Sequence, residues 1–243
     1  MKRMKIYFSG FILIAGVLLL STFFVAQPAK AIGANLTGKA VFEGTPPAPQ
    51  TIKMDADPVC AGQHAGGMPS EEVVVNSNNT LKNVFVYVKE GLPKDQKFEA
   101  PKDPVAFDQR GCHYSPHVFG VMAGQPIQII NSDGTLHNVH ALPKNSKEFN
   151  LGMPIQGMKL NQKFDAPEVM VKFKCEVHSW MAAWAGVLDH PFFAVTGEDG
   201  TFSIKDLPAG QYTLEAWHEK YGTQTAAVKV PDQTEVNFTF KAL

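Results

Sequence analysis

Phe173-Lys174-Cys175-Glu176-Val177-His178-Ser179-Trp180-Met181, with Asn131-Ser132-Asp133-Gly134-Thr135-Leu136-His137-Asn138-Val139-His140 upstream, decides how the rest of the chain is read. Cys175, His178 and Met181 recur at every third residue, so one short loop offers a thiolate, an imidazole and a thioether. His137 stands beside a Ser-Asp-Gly turn signal and supplies a second imidazole from another strand. Two imidazole nitrogens and a thiolate in a near-trigonal plane, with a weak axial thioether, make the donor set of a blue-copper electron-transfer site. The soft thiolate favours copper, and the arrangement suits both Cu(I) and Cu(II), so little has to move with the electron. Zinc also accepts Cys and His, but it gains nothing from Met181. His140 is the rival imidazole; in a strand it and His137 face opposite sides, and the turn favours His137.

The residues ahead of the loop carry a strand signature. Val169, Val171, Phe173 and Cys175 fall on one face at a period of two, with Met170, Lys172 and Lys174 on the other. The sulfur therefore points the same way as the core residues. Val84, Val86 and Val88 alternate with Phe85, Tyr87 and Lys89; Tyr212, Leu214 and Ala216 repeat the pattern, and Val236, Phe238 and Phe240 close the chain with it. Other short strands are expected at 36–42, 105–109, 118–122 and 125–131, divided by Gly- and Pro-containing turns. Gly197-Glu198-Asp199-Gly200 reads as a hairpin turn, while residues 55–70 and 143–163 read as irregular. No stretch sustains a helical period, so the expected class is all-β, built as sandwiches.

At 243 residues the chain has room for one large β domain or two small ones. The first 31 residues stand apart: Lys2, Arg3 and Lys5 precede a charge-free run over 6–29, and Ala29-Lys30-Ala31 is a small-x-small cleavage signal. This pattern predicts a signal peptide; the competing reading is an uncleaved anchor. Either places the remainder outside the cytoplasm, periplasmic or secreted, with membrane contact only through an uncleaved segment. Leaving out Lys2, Arg3, Lys5 and Lys30 takes 22 basic residues to 18 against 23 acidic, a charge of −5. That argues against nucleic acid and against an anionic membrane surface as partners. Three cysteines in an oxidising compartment are an odd set. If Cys175 stays a thiolate, Cys60 and Cys112 are left to pair; a disulfide that takes Cys175 is the alternative.

The paired segments resemble the cupredoxin family, of the amicyanin- and plastocyanin-like kind, over roughly residues 100 to 190. The resemblance implies a Greek-key β-sandwich with His137, Cys175 and His178 as equatorial ligands and Met181 as the axial one. It also implies that Asn138 ties the two ligand loops together. Two features depart from the family pattern: Val177 stands where a Pro often precedes the second His, and the run after Met181 is longer. A second resemblance lies further on. Gly200-Thr201-Phe202-Ser203-Ile204 and Leu207-Pro208-Ala209-Gly210-Gln211-Tyr212-Thr213-Leu214, with Gly38-Lys39-Ala40-Val41, are similar to carboxypeptidase-regulatory-like (transthyretin-like) sandwiches.

Together these imply a sandwich of residues 35–98 plus 191–243, with a cupredoxin domain at 99–190 inserted in it or packed on it. A Cys60–Cys112 bond would then staple the two together. His64, His113 and His117 are read as surface histidines around that disulfide, the alternative being a second metal site. Met153 and Met158 are read as packing, and Trp180 and Trp184 as either a docking collar or seam filler. The expected function is a one-electron carrier holding one type 1 copper, not an enzyme. Its electron would pass through an exposed edge of His178 to a redox partner protein, a cytochrome or oxidoreductase. Copper delivery, or a structural sandwich with a vestigial site, are the alternatives.

Overall fold

The computed structural model describes Met1, Lys5 and residues 33–242, and the expected leader therefore lies almost wholly outside the described residues. From residue 33 onward the chain belongs to one compact unit. Its elements run β1 (Ala34–Glu43), β2 (Thr51–Ile52), α1 (Pro58–Gln63), β3 (Met68–Pro69), β4 (Phe85–Glu90), β5 (Val105–Arg110) and β6 (His113–Ser115). Next come β7 (Val118–Met122), β8 (Ile127–Asn131), β9 (His137–Leu142), β10 (Phe149–Met153), β11 (Lys159–Gln162) and β12 (Glu168–Lys174). The last are β13 (Ala182–Leu188), β14 (Phe193–Val195), β15 (Thr201–Leu207), β16 (Gly210–His218), β17 (Gly222–Val230) and β18 (Phe238–Lys241). The class is all-β, as the sequence implies.

Two pairs of sheets enclose two separate cores. The sheets β15-β1-β18 and β14-β4-β16-β17 close over Leu36, Phe42, Val86, Ile204, Leu214 and Phe240. Period-two alternation produces this: along β1, Leu36, Ala40 and Phe42 are buried while Thr37, Lys39 and Glu43 face water. The sheets β10-β9-β12-β13-β7 and β11-β8-β5-β6 close over Phe107, Tyr114, Ile129, Phe164 and Phe173. Cys175 and Met181 sit at the end of this second core. Between the sandwiches Phe85, Tyr87, Val118 and Leu188 form a further apolar cluster joined by Trp184, Phe193 and Trp217.

Several expectations change. Residues 143–163 are irregular only in part, because β10 and β11 within them pair with β9 and β8 as edge strands. Gly197–Gly200 turns the chain without making a hairpin: β14 pairs with β4, whereas β15 crosses to pair with β1. Val169 is 38% exposed, because the register of β12 shifts between Glu168 and Val171 and resets the alternation ahead of Val171, Phe173 and Cys175. The segment 55–70 holds a short helix that the lack of apolar periodicity concealed. Its start was marked by Asp57-Pro58, an N-cap residue followed by a proline at the first helical position.

Candidate metal centre

The ladder between β9 and β12 sets the site. Phe173 pairs with Ala141 and Lys174 with His140, which brings the start of β9 beside the residues that follow β12. Beyond β12 the chain folds on itself: the Cys175 N–H donates to the Met181 carbonyl at 3.2 Å, and the Met181 N–H to the His178 carbonyl at 3.0 Å. Asn138 Oδ1 accepts from the Glu176 N–H and joins the two loops. One ligand atom from each of His137, Cys175 and His178 falls within 4.8 Å of the others, and all three residues are buried. Met181 is buried against the same core as Cys175.

Both imidazoles are held from behind by carboxylates. His137 Nε2 lies 2.9 Å from Asp133 Oδ2, and His178 Nε2 lies 3.0 Å from Asp57 Oδ2. Asp133 also accepts from the backbone N–H groups of Gly111 at 2.9 Å and Cys112 at 2.8 Å. Asp57 accepts from Val59 and Cys60 N–H groups at 2.7 and 3.2 Å and from the Thr135 hydroxyl at 2.8 Å. Burial opposes charge on each carboxylate, yet the donors outweigh it. They hold Asp57 down at about 2, and Asp133 far below the usual carboxylate range. Ionised carboxylates only accept, so both Nε2 atoms carry the proton.

The consequence lies on the opposite side of the rings. His137 Nδ1 and His178 Nδ1 face each other at 2.9 Å, and in neutral rings both are lone-pair acceptors. Beside them Cys175 Sγ receives the His178 N–H at 3.3 Å. Burial would push the Cys175 thiol up, but the donors from His137, Asn138, His178 and Val177 pull it down. Burial likewise lowers His137, and the Asp133 carboxylate and Cys175 sulfur overturn this, raising it to about 9. A proton on His137 therefore sits among the two Nδ1 atoms and the Cys175 sulfur, where a cation can take its place. Two imidazole nitrogens and a thiolate suit a soft cation such as copper.

A cap covers this centre. His178 is only 2% exposed, so the expected exposed imidazole edge is absent. Asp57 and α1 lie over it, Cys60 Sγ is 3.8 Å from His178 Nε2, and the Trp180 ring lies against the His178 ring with centroids 4.9 Å apart. Cys60 is bonded to Cys112, and Cys175 is free. Met54, Met68 and the two half-cystines form a small core of their own under Trp180.

The remaining candidates fall elsewhere. His140 sits between Glu148 and Glu176, each at 2.6 Å, away from the Nδ1 pair. His64 and His113 both reach the Gly111 carbonyl, and His117 bridges the Ala182 carbonyl and Glu219. Met153 Sδ accepts from Gln109 in the core. Trp184 goes to the seam, bonded to Glu219 and packed on Trp217, while Trp180 goes to the centre. Sequence reasoning missed Asp57 and Asp133; each announces itself as a turn residue, in Asp-Pro and Ser-Asp-Gly, rather than as a donor to an imidazole.

Residues 189–241 match the family model of the carboxypeptidase regulatory-like domain. No curated protein matches the chain. Among the solved structures that show partial likeness to it are three of different kinds. A purple cupredoxin from Nitrosopumilus maritimus is 20% identical, with a TM-score of 0.30, over 34% of this chain and 98% of its own. An oxidised amicyanin variant is 18% identical, with a TM-score of 0.32, over 42% and 97%. The copper-containing nitrite reductase from Thermus scotoductus SA-01 is 17% identical, with a TM-score of 0.34, over 42% of this chain. The match spans about a quarter of that reductase, 26% of its length.

Proposed function

We propose that this protein is an extracytoplasmic one-electron carrier with a single type 1 copper held by His137, Cys175 and His178, and by Met181 axially. The observation that carries the reading is the gathering of His137, His178 and Cys175, with the two Nδ1 atoms facing each other while both Nε2 atoms are tied to carboxylates. Copper bound there supplies a one-electron couple; the chain contributes a preset, buried frame that needs little rearrangement. The Cys60–Cys112 disulfide supports an oxidising compartment. The reading assigns no substrate, and it implies a redox partner protein, a cytochrome or an oxidoreductase. Delivery of copper is the less favoured alternative, because Asp57, Trp180 and the disulfide enclose a ligand that would have to let go.

The test is a visible absorption and electron paramagnetic resonance spectrum after addition of Cu(II), with Cys175→Ala alongside. An intense thiolate-to-copper band that disappears in the variant is the expected result. Absence of the band from the unaltered protein, with Cys175 oxidised or on zinc, would overturn the reading.

A further inference from the structure

Asp57 belongs to neither strand that delivers the imidazoles. It stands immediately ahead of α1, and its two oxygens have separate tasks. Oδ1 accepts from the Val59 and Cys60 N–H groups and caps α1; Oδ2 accepts from Thr135 and faces His178 Nε2 at 3.0 Å. The disulfide links this carboxylate to the other one. Cys60 donates its N–H to Asp57 and Cys112 donates its N–H to Asp133, so one covalent bond ties together the supports of both imidazoles.

We propose that Asp57 is a positioning residue that fixes His178 as the Nε2–H tautomer and holds it on the metal in both oxidation states, with residues 57–64 closing that edge to solvent. The proposal rests on the copper reading above. An imidazole on a loop can swing about its side-chain bonds, and a carboxylate on its far nitrogen removes that freedom and makes the near nitrogen more basic. A fixed negative charge behind the ring also favours Cu(II) over Cu(I). Without Asp57, the more reduced form gains.

The discriminating variant is Asp57→Asn. Asparagine keeps the α1 cap through Oδ1, but its amide places a donor opposite the His178 Nε2–H. In the metal-free protein, nitrogen-15 NMR should show His178 as a slowly exchanging Nε2–H tautomer, and the variant should lose that signal. In the copper-loaded protein the visible band should persist, and the Cu(II)/Cu(I) preference should shift toward Cu(I) about tenfold, which is 59 mV for one electron. Thr135→Ala strips a competing donor from the same oxygen and keeps its charge, so the Cu(II)/Cu(I) preference should move slightly toward Cu(II). That opposite sign serves as the test if Asp57→Asn does not fold, and a shift toward Cu(I) would count against the proposal. An unchanged potential with the band intact, or a His178 Nε2–H that exchanges freely in the unaltered protein, would overturn the proposal. If the unaltered protein shows no band, the copper reading fails, and the tautomer measurement still judges what Asp57 does to His178.

Discussion

The Phe85 ring of one sandwich rests on the backbone of Gly186 in the other, so closely that a Cβ at Gly186 would lie 2.2 Å from the ring. Gly120, paired with Gly186 across β7 and β13, meets Phe193 in the same way. The apolar seam between the sandwiches depends on these two bare positions. Gly186→Ala should cost about 1–3 kcal/mol, the usual penalty for overpacking. A thermal melt checks this; an unchanged midpoint would mean the seam yields freely.

Removing the disulfide should loosen both the fold and the cap. The bonded cysteines are 52 residues apart, and loss of such a link costs about 2–5 kcal/mol. Urea denaturation of Cys60→Ser/Cys112→Ser should show that loss. Protection of the His178 ring from solvent should fall with it, since Cys60 stands over that ring.

Asp133→Asn should leave the sandwich folded and weaken metal binding about 10- to 100-fold, the range expected when a carboxylate behind a ligating imidazole is removed. Competitive titration against a chelator measures it. Equal affinity would show that a side-chain oxygen anchored by the Gly111 and Cys112 N–H groups places His137 without the carboxylate charge.

His218 supplies a pH dependence remote from the centre. It is 1% exposed, packed on Tyr221 and Phe240, and accepts from the Lys220 N–H through Nδ1. Burial, chiefly, pushes it down from 6.5 to about 4. The neutral ring is the folded form, while the unfolded chain takes up a proton below about 6.5. Its contribution is therefore complete above that pH and fades as the pH falls toward 4, by an amount on the order of 3 kcal/mol. Melting temperature against pH should be flatter over this window in His218→Asn than in the unaltered protein; parallel curves would assign the acid sensitivity to other groups.

What was legible in the sequence depended on range. Cys175, His178 and Met181 lie in one loop at fixed spacing, and their approach to His137 follows from strand alternation once β12 is recognised. The carboxylate behind His178 was not legible, because nothing local connects Asp57 to a histidine 121 positions away, whereas Asp133, four residues from His137, was passed over as a turn residue. The meeting of Asp57 and His178 is made by a disulfide and a six-residue helix that carries no amphipathic stripe. The strands β10 and β11 were hidden for a different reason. As edge strands they bury only part of one face, so their patterns look like those of polar loops.

The position of β1 has a consequence for the order in which a newly made chain takes shape. Its two neighbours, β15 and β18, are among the last strands synthesised, and Lys39 bonds across 198 residues to Asn237. Contacts that close such long loops are slow to form. Strands β5 to β13 pair only with one another, so the sheets of the inner sandwich can form while β1 still lacks both of its neighbours. That interval, when an unpaired strand is on display, is when the chain is most exposed to aggregation. Early closure of the inner sandwich shortens it, by drawing the two ends of the outer one together.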